Sequence, residues 1–328
     1  MSPDADPALS VVVAIVSDTT GRPDTAHLEP ALRALKNQRG APAIEIVVPY
    51  HPSVNGIERL RRAYPDVRFL EIPDLKTFTG SSGSREHHDE LRARGLAVTS
   101  GKIVALIEDV GVPAPDFCAR LVDRHAQPFA AVGGAIENGI DRPLNWAVYF
   151  CDFLRYQNPL PAGESAIASD ACVSYKRAAL QSIRPIWQEI FHEWSVHGAL
   201  RSRGEKVALF PDVILYQHRQ GLSLRTALKE RFVWGRSYAA TRAGLAGTPK
   251  RIFWAAFSPL LPLLILARMT LMAAKKRRTF GAFAKAFPLT AALTLSWSWG
   301  ELIGYLTGKA NSTGAQAAEA IARGSNAA

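Results

Sequence analysis

Cysteine is scarce in this chain, with three residues among 328, at Cys118, Cys151 and Cys172. They have no metal-ligand spacing and cannot all pair with one another, so a disulfide framework is not expected and a reducing compartment is the natural interpretation. The first ten residues, MSPDADPALS, are acidic and polar, and the first apolar run, Ser10 to Ser17, has the length of a strand. We therefore expect no cleavable signal peptide here, and a catalytic or binding part in the cytoplasm.

The sequence also lacks a helix-turn-helix, zinc-finger or RNP pattern, so no nucleic acid is expected as a partner. Its formal net charge of +10 therefore favours other anionic partners, such as membrane lipids or phosphorylated small molecules. One dense basic block, Lys275 to Arg278, lies between two apolar segments near the C-terminus. Because an anionic membrane surface attracts each nearby Lys or Arg by about 1 kcal/mol, this position favours the cytoplasmic membrane surface as a partner.

Up to about residue 135 the chain alternates short β-branched runs with helix-like stretches. The runs are Ser10 to Val16, Ile44 to Val48, Val67 to Ile72 and Ile103 to Ile107, and the clearest helical stretches are Thr25 to Gln38, Ile57 to Tyr64 and Phe117 to His125. Continuous apolar strands separated by amphipathic helices predict the α/β class, with a Rossmann-like, mostly parallel sheet flanked by helices. Ligands bind such sheets beyond the carboxyl ends of the strands.

Two adjacent acids, Glu108 and Asp109, follow the strand at Ile103 to Ile107 and so lie at this ligand edge. A carboxylate pair there can hold Mg²⁺ or Mn²⁺ against a diphosphate, since hard divalent cations take oxygen ligands and share them with substrate phosphates. The alternative is a pair of solvated loop acids. A second polar group, His87-His88-Asp89, lies at a helix start, where neighbouring residues do not converge on one ion.

Glu193 stands at the start of a predicted helix whose apolar face includes Val196 and Leu200, and Gly204 ends that helix. A carboxylate in this place can act as a general base, with Trp194 beside it as a stacking platform for a sugar. The alternative is a helix-start acid next to a core tryptophan.

Two apolar segments close the chain, Ile252 to Ala274 and Ala282 to Leu306. In the second, Lys285 and Glu301 leave about fifteen uninterrupted residues, short of the roughly 20 that span a bilayer. If both segments spanned, the basic block between them would face outward, against the positive-inside preference. We therefore expect helices that lie in or dip into the cytoplasmic leaflet, and the alternative is a soluble core subdomain.

The order of these pieces resembles the family 2 glycosyltransferases, nucleotide-sugar enzymes with the GT-A fold, over roughly residues 9 to 245. In that family a strand ends in an acidic D-x-D-like motif followed by P-x-P-D-F, and here the stretch is IEDVGVPAPDF, Ile107 to Phe117. The tail ending in GELIGYLTG is similar to that of a bacterial membrane-associated subgroup. Val110 stands where the second aspartate of the motif usually lies, so the resemblance assigns the metal to Glu108 and Asp109, helped by His218.

The resemblance also implies a nucleotide-sugar site. Arg92, in Arg92-Ala93-Arg94-Gly95-Leu96, echoes the family's Arg-Asn-x-Gly helix start that faces the nucleotide, and Gly134 echoes a glycine turn beside the donor sugar. The aspartate that commonly reads uracil is absent, so Tyr50 is the candidate for stacking on the base and Asp18 for a hydrogen bond to base or ribose. The stretch KERFVWGR, Lys229 to Arg236, resembles a segment that closes over the diphosphate.

Arg231 and Arg236 of that stretch are the implied phosphate ligands, because arginine forks suit phosphate oxygens. The competing interpretation places these basic residues on a membrane-facing surface. Glu193 aligns with the aspartate that acts as the family's inverting base, and Asp170, Trp194 and Trp234 are the implied acceptor contacts.

Together these features imply an inverting glycosyltransferase that moves a sugar from a nucleoside-diphosphate sugar to a lipid-linked or polysaccharide acceptor, at the cytoplasmic face of a bacterial inner membrane. The expected division is a catalytic domain at 1–245, membrane-associated helices at 246–310 and a flexible tail at 311–328. One alternative is a non-catalytic relative that binds a nucleotide or partner. Another is a nucleotidyltransferase, although the stretch after the first strand, Asp18 to Pro23, lacks a lysine-bearing glycine loop.

Overall fold

The computed structural model describes residues 7–17, 25–77, 85–244 and 246–309. Their contacts divide the chain into two compact units. The first unit takes the described residues up to Glu137 together with Asn158–His218, and the second takes Asn138–Gln157 together with the described residues from Arg219 onward. The predicted functional division at residues 245 and 310 stays a prediction.

The strands form one sheet, and their bounds are β1 Leu9–Ala14, β2 Ile44–Tyr50, β3 Arg68–Glu71, β4 Ile103–Glu108, β5 Gly111–Pro113, β6 Ala131–Asn138, β7 Gly163–Glu164, β8 Cys172–Lys176 and β9 Val207–Gln217. The helices are α1 Leu28–Lys36, α2 Ile57–Ala63, α3 Arg85–Ala97, α4 Phe117–His125, α5 Pro143–Phe153, α6 Arg177–Ser182, α7 Arg184–Trp187, α8 Glu193–Ser202, α9 Leu224–Gly244, α10 Thr248–Phe257, α11 Leu261–Lys276 and α12 Phe280–Thr307. The strand order is β3-β2-β1-β4-β8-β6-β9-β5, with β7 on β9.

The predicted α/β class is confirmed. Strands β3, β2, β1 and β4 pair in parallel, and the whole of β1 is buried, as expected for a strand covered on both faces. Beyond β4 the pairing turns antiparallel, because β8 runs against both β4 and β6. The sheet is therefore mixed, and its parallel half presents the carboxyl ends of β1, β2 and β4 at one edge.

Gly134 lies inside β6, and the prediction of a turn at this position is wrong. A Cβ atom added there would lie 2.1 Å from the carbonyl oxygen of Val213, on strand β9. Gly134 is therefore required by the close approach of two strand backbones, whereas a Cβ atom on the neighbouring Gly133 would lie 2.5 Å from the Cβ of Ala168.

The second unit is helical, and its long helix α12 packs along α9 at glycine contacts. A Cβ on Gly300 would lie 2.1 Å from the carbonyl oxygen of Phe232, and a Cβ on Gly235 would lie 2.2 Å from the carbonyl oxygen of Trp297. Small residues let two helix backbones approach this closely. The pairing of α9 with α12 thus depends on the absence of side chains at these positions.

Replacing Gly300 with alanine should lower the free energy of unfolding by about 1–3 kcal/mol, because the added methyl group forces the two helix backbones apart. The matched control is Gly281→Ala in the same helix, where the new Cβ meets no atom within 4 Å. Thermal unfolding followed by circular dichroism measures both variants. Equal melting temperatures for the two would contradict the backbone contact.

Among the described residues, one helical stretch, Thr248–Lys276, is long and apolar enough to cross a membrane by length and composition. The segment predicted at Ala282 to Leu306 lies within α12, and ten residues of that helix are buried, including Leu293 and Tyr305. The placement of these helices on a membrane, and the cellular location, stay predictions. The predicted tail at 311–328 lies outside the described residues.

Candidate active site

One buried arginine pairs with several acidic side chains at the edge of the sheet where ligands are expected to bind. Arg92, on α3, donates from Nη1 to Asp89 Oδ1 at 2.9 Å and from Nη2 to Glu108 Oε1 at 2.9 Å. The same Nη2 lies 3.1 Å from Asp170 Oδ2, and the charge of Glu193 also acts on this guanidinium. We call these five residues the Arg92 cluster.

Four separate segments deliver these acids. Asp89 precedes Arg92 by one helical turn, and Glu108 is the last residue of β4. Asp170 arrives beside Glu108 because Cys172, at the start of β8, pairs antiparallel with Ile107. The start of α8 is brought in by a hydrogen bond of 3.0 Å from the backbone N–H of Phe191 to the carbonyl oxygen of Asp89.

The cluster carries an excess of three negative charges, since one guanidinium faces four carboxylates. Burial by itself lowers the pKa of Arg92, but Asp170, Asp89, Glu108 and Glu193 more than offset this and raise it, so the arginine stays protonated. Its side chain is 3% exposed, whereas those of Glu108 and Asp170 are 15% and 21% exposed. The carboxylates of Glu108 and Asp170 therefore lie nearer to solvent than the arginine does.

Glu108 and Asp109, the two neighbouring acids at the end of β4, have different partners. Asp109 is fully buried, and its Oδ1 accepts a hydrogen bond from the backbone N–H of Val16 at 2.9 Å while its Oδ2 accepts one from the Ser17 hydroxyl at 2.5 Å. Asp109 thus ties the end of β4 to the end of β1. Glu108, not Asp109, lies in the cluster that includes Glu193.

His218 is brought to the same turn, because its backbone N–H donates to the carbonyl oxygen of Val110 at 2.7 Å. Even so, the described residues contain no group of three or more His, Cys, Asp or Glu side chains placed to hold a metal ion. Mg²⁺ is usually held by one or two carboxylates that share it with waters and substrate phosphates, but both carboxylate oxygens of Asp109 already accept protein hydrogen bonds, and Glu108 Oε1 accepts one from Arg92. The described donor set does not fit Mg²⁺ or Mn²⁺, and Asp18 lies outside the described residues.

Tyr50 closes β2 and is buried. Its hydroxyl donates to Glu71 Oε2 at 2.7 Å and accepts from Arg61 Nη2 at 2.9 Å. Burial, together with the adjacent Glu71, raises the pKa of Tyr50 to about 12. With 3% of the residue exposed, the ring would have to move before a base could stack on it, and that role stays a prediction.

Glu193 and Trp194, the first two residues of α8, differ in their exposure to solvent. Glu193 is buried, whereas Trp194 is 54% exposed. The alternative of a core tryptophan beside the acid is therefore not observed. The roles of Glu193 as a base and of Trp194 as a stacking platform stay predictions.

The predicted residues of α9 belong to the second unit. Arg231 is buried and makes a bidentate pair with Asp152, the bond from Nη1 to Oδ1 measuring 2.6 Å, and its guanidinium lies 5.0 Å from the ring centre of Trp234. Burial lowers the pKa of Arg231, and Asp152 more than offsets this and raises it. Arg236 donates from Nε to the carbonyl oxygen of Lys309 at 3.1 Å. The roles of these residues toward phosphate or acceptor stay predictions.

Sequence reasoning missed the part played by Asp89. In the sequence it stands with His87 and His88 in a polar group that suggests a metal site, whereas in the structure it pairs with Arg92 three residues later on the same helix. The spacing of three between an acid and a base was a usable signal, because such residues are neighbours on a helix surface.

No family model matches the chain, and no curated protein matches it. Among the solved structures that match is the mannosyltransferase PcManGT from Pyrobaculum calidifontis in complex with GDP-Man and Mn²⁺. The two chains are 17% identical, the match covers 94% of this chain and 87% of that one, and the TM-score is 0.44. A likeness at this distance carries no argument about activity.

Proposed function

We propose that this protein is an inverting glycosyltransferase that moves a sugar from a nucleoside-diphosphate sugar to a hydroxyl of a lipid-linked or polysaccharide acceptor. One observation carries the proposal: Glu193, at the start of α8, and Glu108, at the carboxyl end of β4, act on the same buried guanidinium of Arg92. A general base and a donor-side acid are thereby held together at the edge where α/β sheets bind ligands.

In this reaction Glu193 accepts the proton of the acceptor hydroxyl, whose oxygen attacks the anomeric carbon. The new bond joins that carbon to the acceptor oxygen, the bond to the diphosphate oxygen breaks, and its electron pair leaves with the nucleoside diphosphate. A single displacement inverts the anomeric centre. The base must come within about 2.6–3.2 Å of the hydroxyl, and Trp194 supplies a face on which the acceptor can be held there.

Asp170 and Glu108 are the most exposed acids of the Arg92 cluster, and we assign them to hydroxyl groups of the sugars. Arg92 acts through them as a positioning residue, since it fixes both carboxylates and is itself buried. Arg231 and Arg236 remain the proposed phosphate ligands, and for Arg231 this requires exchange of its bond to Asp152. No step is routed through a metal, because the described donor set does not fit one.

The affinity for nucleoside diphosphates should change by no more than about threefold between EDTA and millimolar Mn²⁺, because the described acids are committed to protein partners. Isothermal titration calorimetry with GDP and UDP measures this. Binding that tightens more than about tenfold with Mn²⁺, and loses that gain in Glu108→Gln, would show that residues outside the described ones complete a metal site.

The proposed function is tested with a panel of radiolabelled nucleotide sugars incubated with the full chain and a bacterial lipid extract. We expect one donor to give label in the lipid or polysaccharide fraction together with release of its nucleoside diphosphate. Binding of a donor with no release, with or without extract, would instead support a non-catalytic nucleotide-binding protein. That alternative is favoured by Val110, which cannot ligate a metal.

The membrane-associated location is part of the same proposal. It is supported by large apolar side chains that α10 and α11 expose, among them Phe253, Leu263 and Leu264. Acceptors of this class reside at the cytoplasmic face of the bacterial inner membrane, and an apolar surface would keep the enzyme there.

A further inference from the structure

A pocket with a basic and aromatic lining lies in the second unit, where α9 ends and α10 begins. Its volume is about 470 Å³, and its lining includes Arg242, Lys250 and Trp254 together with the backbone around Gly247 and Pro249. None of these residues belongs to the Arg92 cluster. The chemistry of the pocket therefore calls for a separate explanation.

Arg242 is held in place by neutral groups. Its guanidinium lies 4.0 Å from the ring centre of Trp254, and its Nη1 donates to the Tyr305 hydroxyl at 3.0 Å. The carboxylate of Glu301 acts on it at longer range, and is itself hydrogen-bonded by Trp297 at 2.5 Å. The arginine is thus oriented by aromatic partners, and no carboxylate of the described residues forms an ion pair with it.

Lys250 adds a second cation to the lining of the pocket. The residue is exposed, and its ammonium group makes no ion pair with any carboxylate in the described part of the chain. The adjacent Arg251 is engaged elsewhere: its Nη2 donates to the carbonyl oxygen of Leu306 at 2.5 Å, which caps the end of α12. The pocket therefore presents two cations, Arg242 and Lys250.

An exposed apolar face continues from the pocket along the chain. Six large side chains between 48% and 69% exposed lie on α10, the turn after it and the start of α11, and they are Ile252, Phe253, Phe257, Leu260, Leu263 and Leu264. Farther along, exposed cations lie in the last turn of α11, at Lys275, and just after it, at Arg277 and Arg278. A soluble surface rarely combines this much exposed apolar area with cations at both ends.

We propose that the pocket binds the phosphate of an anionic membrane phospholipid, whose acyl chains lie against the exposed face of α10 and α11. Charge complementarity selects an anion, since the two pocket cations are Arg242 and Lys250, and Trp254 has the amphipathic character of residues at headgroup level. The adjoining apolar face selects a lipid over a soluble phosphate, because only a lipid brings hydrocarbon to cover it. This inference rests on the membrane location in the proposed function, but it does not depend on the transferase activity, because it concerns lipid binding alone.

The test uses the full chain and dihexanoyl phosphatidylglycerol below its micelle concentration, measured by titration calorimetry. Dihexanoyl phosphatidylcholine and inorganic phosphate serve as the neutral-lipid and free-anion probes. The variant is Lys250→Glu, which changes an exposed residue, and the matched control is Lys206→Glu, a surface lysine that pairs with Glu164 in the first unit. The control makes the same change in net charge.

We expect saturable binding of phosphatidylglycerol at one site, with inorganic phosphate and phosphatidylcholine each at least about tenfold weaker. Lys250→Glu should weaken phosphatidylglycerol binding by about thirtyfold, since it removes one cation and adds one anion, each worth about 1 kcal/mol at an anionic surface, and Lys206→Glu should leave it unchanged. Flotation with vesicles containing phosphatidylglycerol should follow the same order. Thermal unfolding of both variants checks that the fold is intact.

Three results would overturn the proposal. Equal losses in Lys250→Glu and Lys206→Glu would mean that only the overall charge matters. Equal binding of phosphatidylcholine and phosphatidylglycerol would mean that the apolar face acts without the pocket. Inorganic phosphate binding as tightly as the lipid would mean that the site is not a lipid site.

Discussion

Glu193→Gln should lower the rate of sugar transfer by about 10²–10⁴-fold, the range that a positioned general base contributes. The amide keeps the shape of the side chain but cannot accept the proton of the acceptor hydroxyl. Nucleoside diphosphate affinity should stay within about twofold, because the change removes one of four negative charges around Arg92 and no predicted nucleotide contact. Initial rates with the donor found in the panel, at saturating acceptor, measure the effect.

The control is Glu189→Gln, an exposed acid four residues earlier whose nearest cation is Lys76 at 3.9 Å. It should retain full activity. Glu193→Asp should fall between the two, because the carboxylate remains but its reach shortens by one methylene. If Glu193→Gln transfers sugar at the wild-type rate, Glu193 is not the general base, and the central assignment of the proposed function is wrong.

Arg92→Met should cost about 3–5 kcal/mol of folding free energy, the effect of removing one partner from a buried ion pair. The methionine fills much of the space but leaves the carboxylates of Asp89, Glu108 and Asp170 without their shared donor. The matched control is Arg94→Met on the same helix, where the lost pair with Asp74 is exposed. The control should cost no more than about 1 kcal/mol by urea unfolding.

The stability deficit of Arg92→Met should shrink as the pH falls from about 8 to about 5. Carboxylates crowded without a counter-charge take up protons in the folded variant at a pH where the unfolded chain remains ionised. The folded state then binds more protons than the unfolded state, so the stability of the variant falls as pH rises. In the wild type the raised pKa of Arg92 keeps its charge constant over this range. Equal deficits at both pH values would show that the loss comes from packing alone.

The sequence by itself determined the parallel half of the sheet. The runs that became β1, β2 and β4 are continuous and apolar, and the stretches that became α1, α2 and α4 have helical spacing. These patterns follow from the local geometry of strands and helices, which is set by residues close together in the chain. The same local pattern placed Glu108 at the end of a strand and Glu193 at the start of a helix.

Only the tertiary structure decided which of these residues meet. Nothing in the sequence distinguishes the roles of Glu108 and Asp109. In the structure Glu108 pairs with Arg92, whereas Asp109 accepts a hydrogen bond at the end of β1. Nothing in the alternation of residues shows that β8 runs antiparallel beside β4 and delivers Asp170, or that Gly134 faces a strand backbone. The direction of a side chain depends on partners that are distant in sequence, and it is settled when burial requires every buried charge and polar group to find one.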